Sequence, residues 1–277
     1  MPFCRLSLAA VLALRLVAPT LRAQAPTTPS AVTPPIATPQ NLGPGGIAPP
    51  APKLPEPQPK PTIPDLTRYL NNPDLLKFCT AQVADFNGRD ADMIFLGDSI
   101  TQGWRGAGKA VWDANFAPRN ALDFGIGGDQ TQHVLWRMDN YPIQRLHPKV
   151  AVVLIGTNNT RNTAPEIADG VKAVLTKTQT MFPGIKIILV SIMPNKRAND
   201  LMMAADAILR TFDDGKTIYY LDLVPVMTPV GDNWKGLSAD HLHPDASGYQ
   251  LWTDAMLPLL DKLLPPTVST MSAAPTN

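Results

Sequence analysis

The sequence predicts a three-layer α/β sandwich built around a five-stranded parallel sheet. Three observations carry that expectation. Five short β-rich runs, Met93–Leu96, Ala121–Phe124, Val150–Ile155, Ile185–Ile192 and Thr217–Leu223, alternate with longer amphipathic stretches. Such alternation is the signature of strand–helix–strand units joined by right-handed crossovers. The first, third and fourth runs are nearly continuous in apolar residues, as suits strands covered on both faces. Finally, 277 residues with 44% hydrophobic content suffice for one sizeable core, and no internal repeat or second folded region is visible.

Taken from the start, the chain opens with Arg5, an apolar run from Leu6 to Val17 and small residues around Ala23-Gln24-Ala25. A basic start, a short apolar stretch and an alanine-type cleavage site are the parts of a secretory signal peptide. Residues 1–25 are therefore expected to export the chain and to be removed. Arg15 interrupts the run, so a retained anchor is the alternative, although the run is short for a bilayer span. Export points to a secreted, periplasmic or envelope location without stable membrane insertion after cleavage. Cys4 precedes the apolar run, which does not fit a lipoprotein layout, and Cys79 is the only other cysteine. A single cysteine supports neither a disulfide framework nor a zinc cluster, and a packed side chain is expected there.

From Ala25 to Pro64 the composition changes: these 40 residues hold 14 of the 30 prolines and no aromatic residue. Such a stretch cannot bury enough apolar surface to offset its ordering entropy, and proline biases it to an extended, semi-rigid spacer of about 3.1 Å per residue. Residues 26–64 are accordingly expected to be a disordered linker and residues 266–277 a disordered tail, with the folded domain spanning 65–265. Helices are expected near Gly108–Asn115, Asp129–Asp139, Ala164–Met181, Ala198–Phe212 and Asp245–Leu264. The third has the clearest ends. Thr163 supplies a cap, Pro165 an early helical proline and Glu166 the far side of a capping box, while Phe182-Pro183-Gly184 stops the helix.

The 24 basic and 23 acidic residues leave a net charge of +1, and aromatics make up only 6%. Neither a charge excess nor a base-stacking surface points to nucleic acid.

The chemistry gathers after the strands. The successive turns are Gly97-Asp98-Ser99, Gly125-Ile126-Gly127-Gly128-Asp129, Gly156-Thr157-Asn158-Asn159 and, further along, Asp240-His241-Leu242-His243-Pro244. In an open parallel sheet ligands bind outside the carboxyl ends of the strands, so these four turns share one rim. That rim holds the parts of acyl transfer. A serine hydroxyl needs a base, a histidine serves as one, and a carboxylate fixes the imidazole tautomer. Ser99, His243 and Asp240 fill these roles. The backbone N–H groups of Ser99 and Gly128 and the Asn158 amide fill the role of oxyanion donors. Each turn alone is an ordinary polar loop; the convergence is what points to chemistry. The glycines match neither a dinucleotide fingerprint nor a Walker loop. Asp240-His241-x-His243 looks like a metal-ligand set, yet no further His or Cys lies nearby. Thr101 departs from G-x-S-x-G, against an α/β-hydrolase elbow.

These residues resemble the SGNH, or GDSL-type, hydrolase family. The blocks are Gly97-Asp98-Ser99, Gly128, Gly156-x-Asn158 and Asp240-x-x-His243-Pro244, in order. The stretch from Phe124 to Arg137 is similar to the subgroup of intracellular platelet-activating-factor acetylhydrolase catalytic subunits and exported bacterial relatives. Asn159 stands where many members have aspartate. The resemblance implies a flavodoxin-like sheet and an esterase working through an acyl-enzyme on small, acetyl-type esters. Ser99 would be the nucleophile, His243 the base and Asp240 its orienting partner, and no cofactor or metal would be needed. With export, the expected substrate is a small-molecule or polysaccharide ester. An O-acyltransferase on a glycan and a catalytically silent carbohydrate- or wall-binding module are the alternatives. Among the remaining residues, Trp136 is expected in the core, Arg137 as an ion-pair or capping residue beneath the site, and Trp104 either in the core or lining a pocket. His241 is expected at the rim and His147 at the surface.

Overall fold

The computed structural model describes residues 60–265 apart from 87–88 and 232–233. The expected leader, most of the linker and the expected tail lie outside the described residues. In chain order the elements are α1 (Thr67–Leu70), α2 (Pro73–Phe86), β1 (Met93–Gly97), α3 (Ser99–Gln102), α4 (Lys109–Asn115), β2 (Ala121–Gly125), α5 (Thr131–Asn140), β3 (Val150–Leu154), α6 (Ala164–Met181), β4 (Lys186–Val190), α7 (Asn199–Leu209), β5 (Ile218–Leu221), α8 (Val224–Met227) and α9 (Ala246–Leu263).

The five strands form one sheet, parallel throughout as the alternating pattern predicts, in the order β2-β1-β3-β4-β5 that the flavodoxin-like resemblance implies. All of β1, β2 and β3 is buried, and successive side chains serve opposite layers. Ile94 and Leu96 join the apolar layer that includes Val134, Val171 and Met202. Met93 and Phe95 face the other way, into a layer with Trp104, Phe116, Tyr249 and Trp252. The second layer is aromatic: Trp104 packs on Tyr249 at 4.5 Å and on Trp252 at 5.0 Å between ring centroids. Trp104 thus belongs to the core, one of the two places its sequence position allowed.

Two elements precede the sheet. Helix α2 has its own start signal, since Asn72 Oδ1 accepts from Leu75 N at 3.0 Å and Pro73 opens the helix. The chain is already packed at Lys60–Pro64, inside the expected linker. Pro61 is buried, and its carbonyl accepts from Thr131 Oγ1 at 2.8 Å. Asp65 N donates to Gln132 O at 3.1 Å. Residues 60–70 therefore lie as a strap along α5.

The capping box of α6 forms: Glu166 Oε2 accepts from Thr163 N at 2.8 Å, and Thr163 Oγ1 accepts from Glu166 N at 3.4 Å. Cys79 is buried, and His147 is exposed beside Asp90. Trp136, expected in the core, is half-buried: it packs against the outside of the apolar layer and against Tyr69 of the strap, with ring centroids 5.1 Å apart.

Candidate active site

The order of the strands makes β1 and β3 neighbours whose chains leave in opposite directions, and the crevice beyond such a switch point is where α/β sheets hold ligands. Ser99 follows β1 and Asn158 follows β3. The turn after β1 is set by Asp98, which caps α3: its Oδ1 accepts from Ile100 N at 2.9 Å. Ser99 is the first residue of that helix. Among the described residues its backbone N–H makes no hydrogen bond within the protein, as expected at a helix start.

His243 arrives from the loop between α8 and α9. The loop is closed by an isolated bridge between Leu237 and Pro244, by Ser238 N donating to His243 O at 2.8 Å and by Asp245 N donating to Gly236 O at 3.0 Å. The far end of the loop is pinned to the nucleophile turn, because Tyr249 Oη on α9 donates to Ile100 O at 2.6 Å. A side chain at Gly103 would collide with that hydroxyl, a Cβ there lying 1.9 Å from it.

The result is a chain of short contacts. Ser99 Oγ lies 2.8 Å from His243 Nε2, and His243 Nδ1 lies 2.5 Å from Asp240 Oδ2. Asp240 Oδ1 meanwhile accepts from Leu242 N and His243 N, both at 3.0 Å, and from Ser238 Oγ at 2.8 Å. Partial burial pushes the Asp240 carboxyl upward, but the bonds from His243, Ser238 and Leu242 outweigh it and hold the group well below the usual carboxylate range. An ionised Asp240 makes Nδ1 the protonated nitrogen, which leaves Nε2 as the acceptor facing Ser99.

The second turn lies against the same serine. Gly127 N donates to Gln102 Oε1 at 2.6 Å, and Arg68 Nη2 donates to Gly127 O. Gly128 has φ +77°, and a Cβ there would sit 2.6 Å from Arg68 Nη2, so both conformation and space call for glycine. Its N–H, like that of Ser99, makes no hydrogen bond within the protein among the described residues.

In the third turn the Asn158 amide is held at both ends. Nδ2 donates to Asp129 O at 2.9 Å and to Asp98 Oδ2 at 3.2 Å, while Oδ1 accepts from Arg197 Nη2 at 3.0 Å. Asn159 is buried and serves the scaffold: its Oδ1 accepts from Thr131 N at 3.2 Å and its Nδ2 donates to Gln132 Oε1 at 3.2 Å, tying this turn to α5.

Beneath the turns sits Asp129, fully buried. It takes Arg137 Nε at 2.8 Å, Arg68 Nη1 at 2.7 Å and the Tyr69 hydroxyl at 2.8 Å. Arg137 also donates to Phe124 O at 2.7 Å and Gly97 O at 3.2 Å, so it ties together the ends of β2 and β1 as the ion-pairing residue expected there. Asp98 is buried as well. Desolvation, with the negative charge of Asp129 adding to it, raises its carboxyl to about 7 against the opposing bond from Ile100 N.

The structure thus brings Ser99, Gly128, Asn158, Asp240 and His243 together. His241 stands aside: at φ 52° it stacks on Trp234, with centroids 4.8 Å apart. Among the described residues no group of three or more His, Cys, Asp or Glu side chains is placed to hold a metal ion. A cleft of about 420 Å³ reaches Ser99 between Phe78, Gln102, Gly103 and Arg105. Arg68, Gln102 and Arg197 escaped the sequence reading. Arg68 and Arg197 reach the site from distant segments as single polar residues with no motif around them, while Gln102 lies three residues past Ser99 on α3 and only the fold shows that it meets Gly127 N.

Residues 95–251 match the model of the GDSL-like lipase/acylhydrolase family. The chain is 35% identical over 134 residues to the platelet-activating factor acetylhydrolase IB subunit alpha1 of Rattus norvegicus, covering 44% of this chain and 57% of that protein. To the alpha2 subunit of Homo sapiens it is 43% identical over 112 residues, covering 40% and 48%. The chain thus spans about half the length of these curated relatives. Its fold is similar to that of a GDSL-like lipase from Bacteroides thetaiotaomicron, with TM-score 0.54 and 19% identity over 68% of this chain and 98% of that one.

Proposed function

This chain belongs to the GDSL-like lipase/acylhydrolase family, and on that footing we propose that it is an exported serine esterase that removes small acyl groups, acetyl foremost, from alcohol or carbohydrate oxygens. The observation that carries the chemistry is the line Ser99 Oγ, His243 Nε2, His243 Nδ1, Asp240 Oδ2, with contacts of 2.8 and 2.5 Å.

In the first half-reaction His243 Nε2 takes the Ser99 proton as Oγ attacks the ester carbonyl. The oxyanion that develops meets the Ser99 and Gly128 N–H groups and the Asn158 amide, which shares the hydrogen now aimed at Asp98. The imidazolium then protonates the departing alcohol, and the acyl group stays on Oγ. In the second half-reaction His243 activates a water, the acid leaves and Ser99 regains its proton. Asp240 keeps the imidazole in the useful tautomer throughout.

The acetyl preference rests on the named activity of the relatives. Export rests on the basic–apolar–small pattern of residues 1–25, and export in turn favours extracellular or envelope esters, such as acetylated polysaccharides, as substrates.

The test is hydrolysis of p-nitrophenyl acetate, butyrate and octanoate by the full chain beside Ser99→Ala and His243→Ala. The acetate is expected to turn over fastest, both variants to lose at least about 10³-fold in kcat, and kcat/KM to fall toward acid pH as His243 takes up a proton. Full activity in Ser99→Ala overturns the mechanism, and a preference for octanoate overturns the acyl assignment.

A further inference from the structure

We propose that Arg68, on the strap ahead of the sheet, is a positioning residue for the oxyanion pocket. By holding the Gly127 carbonyl it turns the Gly127–Gly128 peptide so that the Gly128 N–H faces the reacting carbonyl. The inference rests on the ester-cleaving reading above.

The peptide in question is flanked by glycine on both sides. Rotation of its plane changes ψ of residue 127 and φ of residue 128, the two angles that glycine leaves least restrained. The glycines let a substrate come close, and they also let the plane turn over. In a trans peptide the C=O and N–H point in opposite directions. Whatever grips the Gly127 oxygen therefore aims the Gly128 N–H. Arg68 Nη2 donates to that oxygen. The preceding peptide is held from the other side, where Gln102 Oε1 accepts from Gly127 N at 2.6 Å. A Cβ on Gly127 would lie 3.7 Å from Ser99 Cβ, which puts this loop directly against the nucleophile.

Arg68 is well placed to act as a fixed peg. Its Nη1 is paired with buried Asp129 at 2.7 Å, and only 29% of its side chain is exposed. Its own segment is tied down at three points: Pro61 O to Thr131 Oγ1, Asp65 N to Gln132 O, and the Tyr69 hydroxyl to Asp129. One guanidinium thereby makes two directional bonds from separate nitrogens, to the carboxylate and to the carbonyl, at angles its planar fork fixes, whereas a lysine ammonium offers its three donors from one rotatable nitrogen on a flexible stem. The strap lies ahead of residues 95–251, the stretch that the family model matches.

The experiment uses the full chain with Arg68→Ala and Arg68→Lys, steady-state kinetics on p-nitrophenyl acetate and on 4-methylumbelliferyl acetate, and thermal melts. Arg68→Ala is expected to lower kcat roughly tenfold or more, with KM changed less than about twofold and the same factor on both esters, since the oxyanion is common to them. Guanidinium ion at low, non-denaturing concentration is expected to restore part of kcat in Arg68→Ala and to leave the unmutated chain unaffected. If Arg68→Ala does not fold, Arg68→Lys decides: it keeps the charge beside Asp129 and is expected to fold with reduced kcat. Unchanged kcat in a folded variant overturns the proposal, as does a loss confined to KM, a loss that differs between the two alcohols, or a loss guanidinium does not relieve. An active unmutated chain with unaffected variants sinks this inference alone, whereas an inert unmutated chain sinks the esterase reading with it.

Discussion

A carboxylate that accepts four hydrogen bonds within one short loop has little freedom left to do anything but orient its neighbour. Asp240 is in that position, with Ser238, Leu242 and two nitrogens of His243 as donors. Asp240→Asn removes the negative charge and can present an amide hydrogen to Nδ1, which favours the tautomer with Nε2 protonated and unable to take the Ser99 proton. The expected result is a loss in kcat on the order of 10²–10⁴-fold, with KM nearly unchanged in steady-state assays. Equal losses in kcat and in substrate affinity would instead mean that the loop had collapsed. Asn158 shows the limit of reading residues singly. The sequence identifies it as a donor, but not that Arg197 and Asp98 hold its two ends, because those partners lie 39 and 60 residues away.

Elements were legible where local signals were complete. Val150-Ala151-Val152-Val153-Leu154 is apolar throughout and forms β3, fully buried. Helix α6 runs over the residues its capping box and its Phe182-Pro183-Gly184 stop announce. Removing the cap with Thr163→Ala is expected to cost about 1 kcal/mol, measured as a drop in the denaturation midpoint without loss of esterase activity; no change would mean that tertiary packing alone holds that end. Helix α2 was missed although Asn72-Pro73 marks its start, because it precedes the first strand and so breaks the alternation that organised the rest. The four-residue α3 offers no periodicity to read. Its placement follows from the cap at Asp98 and from Tyr249, 149 residues away, reaching Ile100 O. The strap was hidden for a related reason: proline-rich composition resembles linker, and only the partners on α5 reveal that its last part is packed.

The molecule as a whole buries carboxylates at the rim end of its sheet, and two of them, Asp98 and Asp123, have a consequence for stability. Burial raises Asp98 to about 7, and burial raises Asp123 to about 6 even though Arg105 opposes it. Both native values lie above the 3.8 of the free group. Between these limits the folded chain holds more protons than the unfolded chain, so this part of the stability falls as pH rises from about 4 through 7. The low value of Asp240 acts in the opposite sense, its contribution being lost as pH falls through the acid range. Melting temperatures from pH 4 to 8 are expected to decline more steeply for the unmutated chain than for Asp98→Asn, which cannot ionise. Parallel curves would show that Asp98 is already charged at low pH in the fold. The fold class needed only the order of apolar runs, which a sequence displays. The polar frame behind the site joins residues 68, 98, 129, 137, 158 and 197, a grouping that exists only once the sheet has closed.

The loop that carries Asp240 and His243 closes on itself through the Leu237–Pro244 bridge. Base and orienting partner therefore travel as a single preassembled piece, and their mutual distance does not depend on the length of any other connection in the chain. Insertions elsewhere shift this piece as a unit relative to Ser99, whereas one residue added between positions 240 and 243 uncouples the pair itself. Length variation in relatives of this chain should accordingly be dispersed over the outer loops and absent from that three-residue interval.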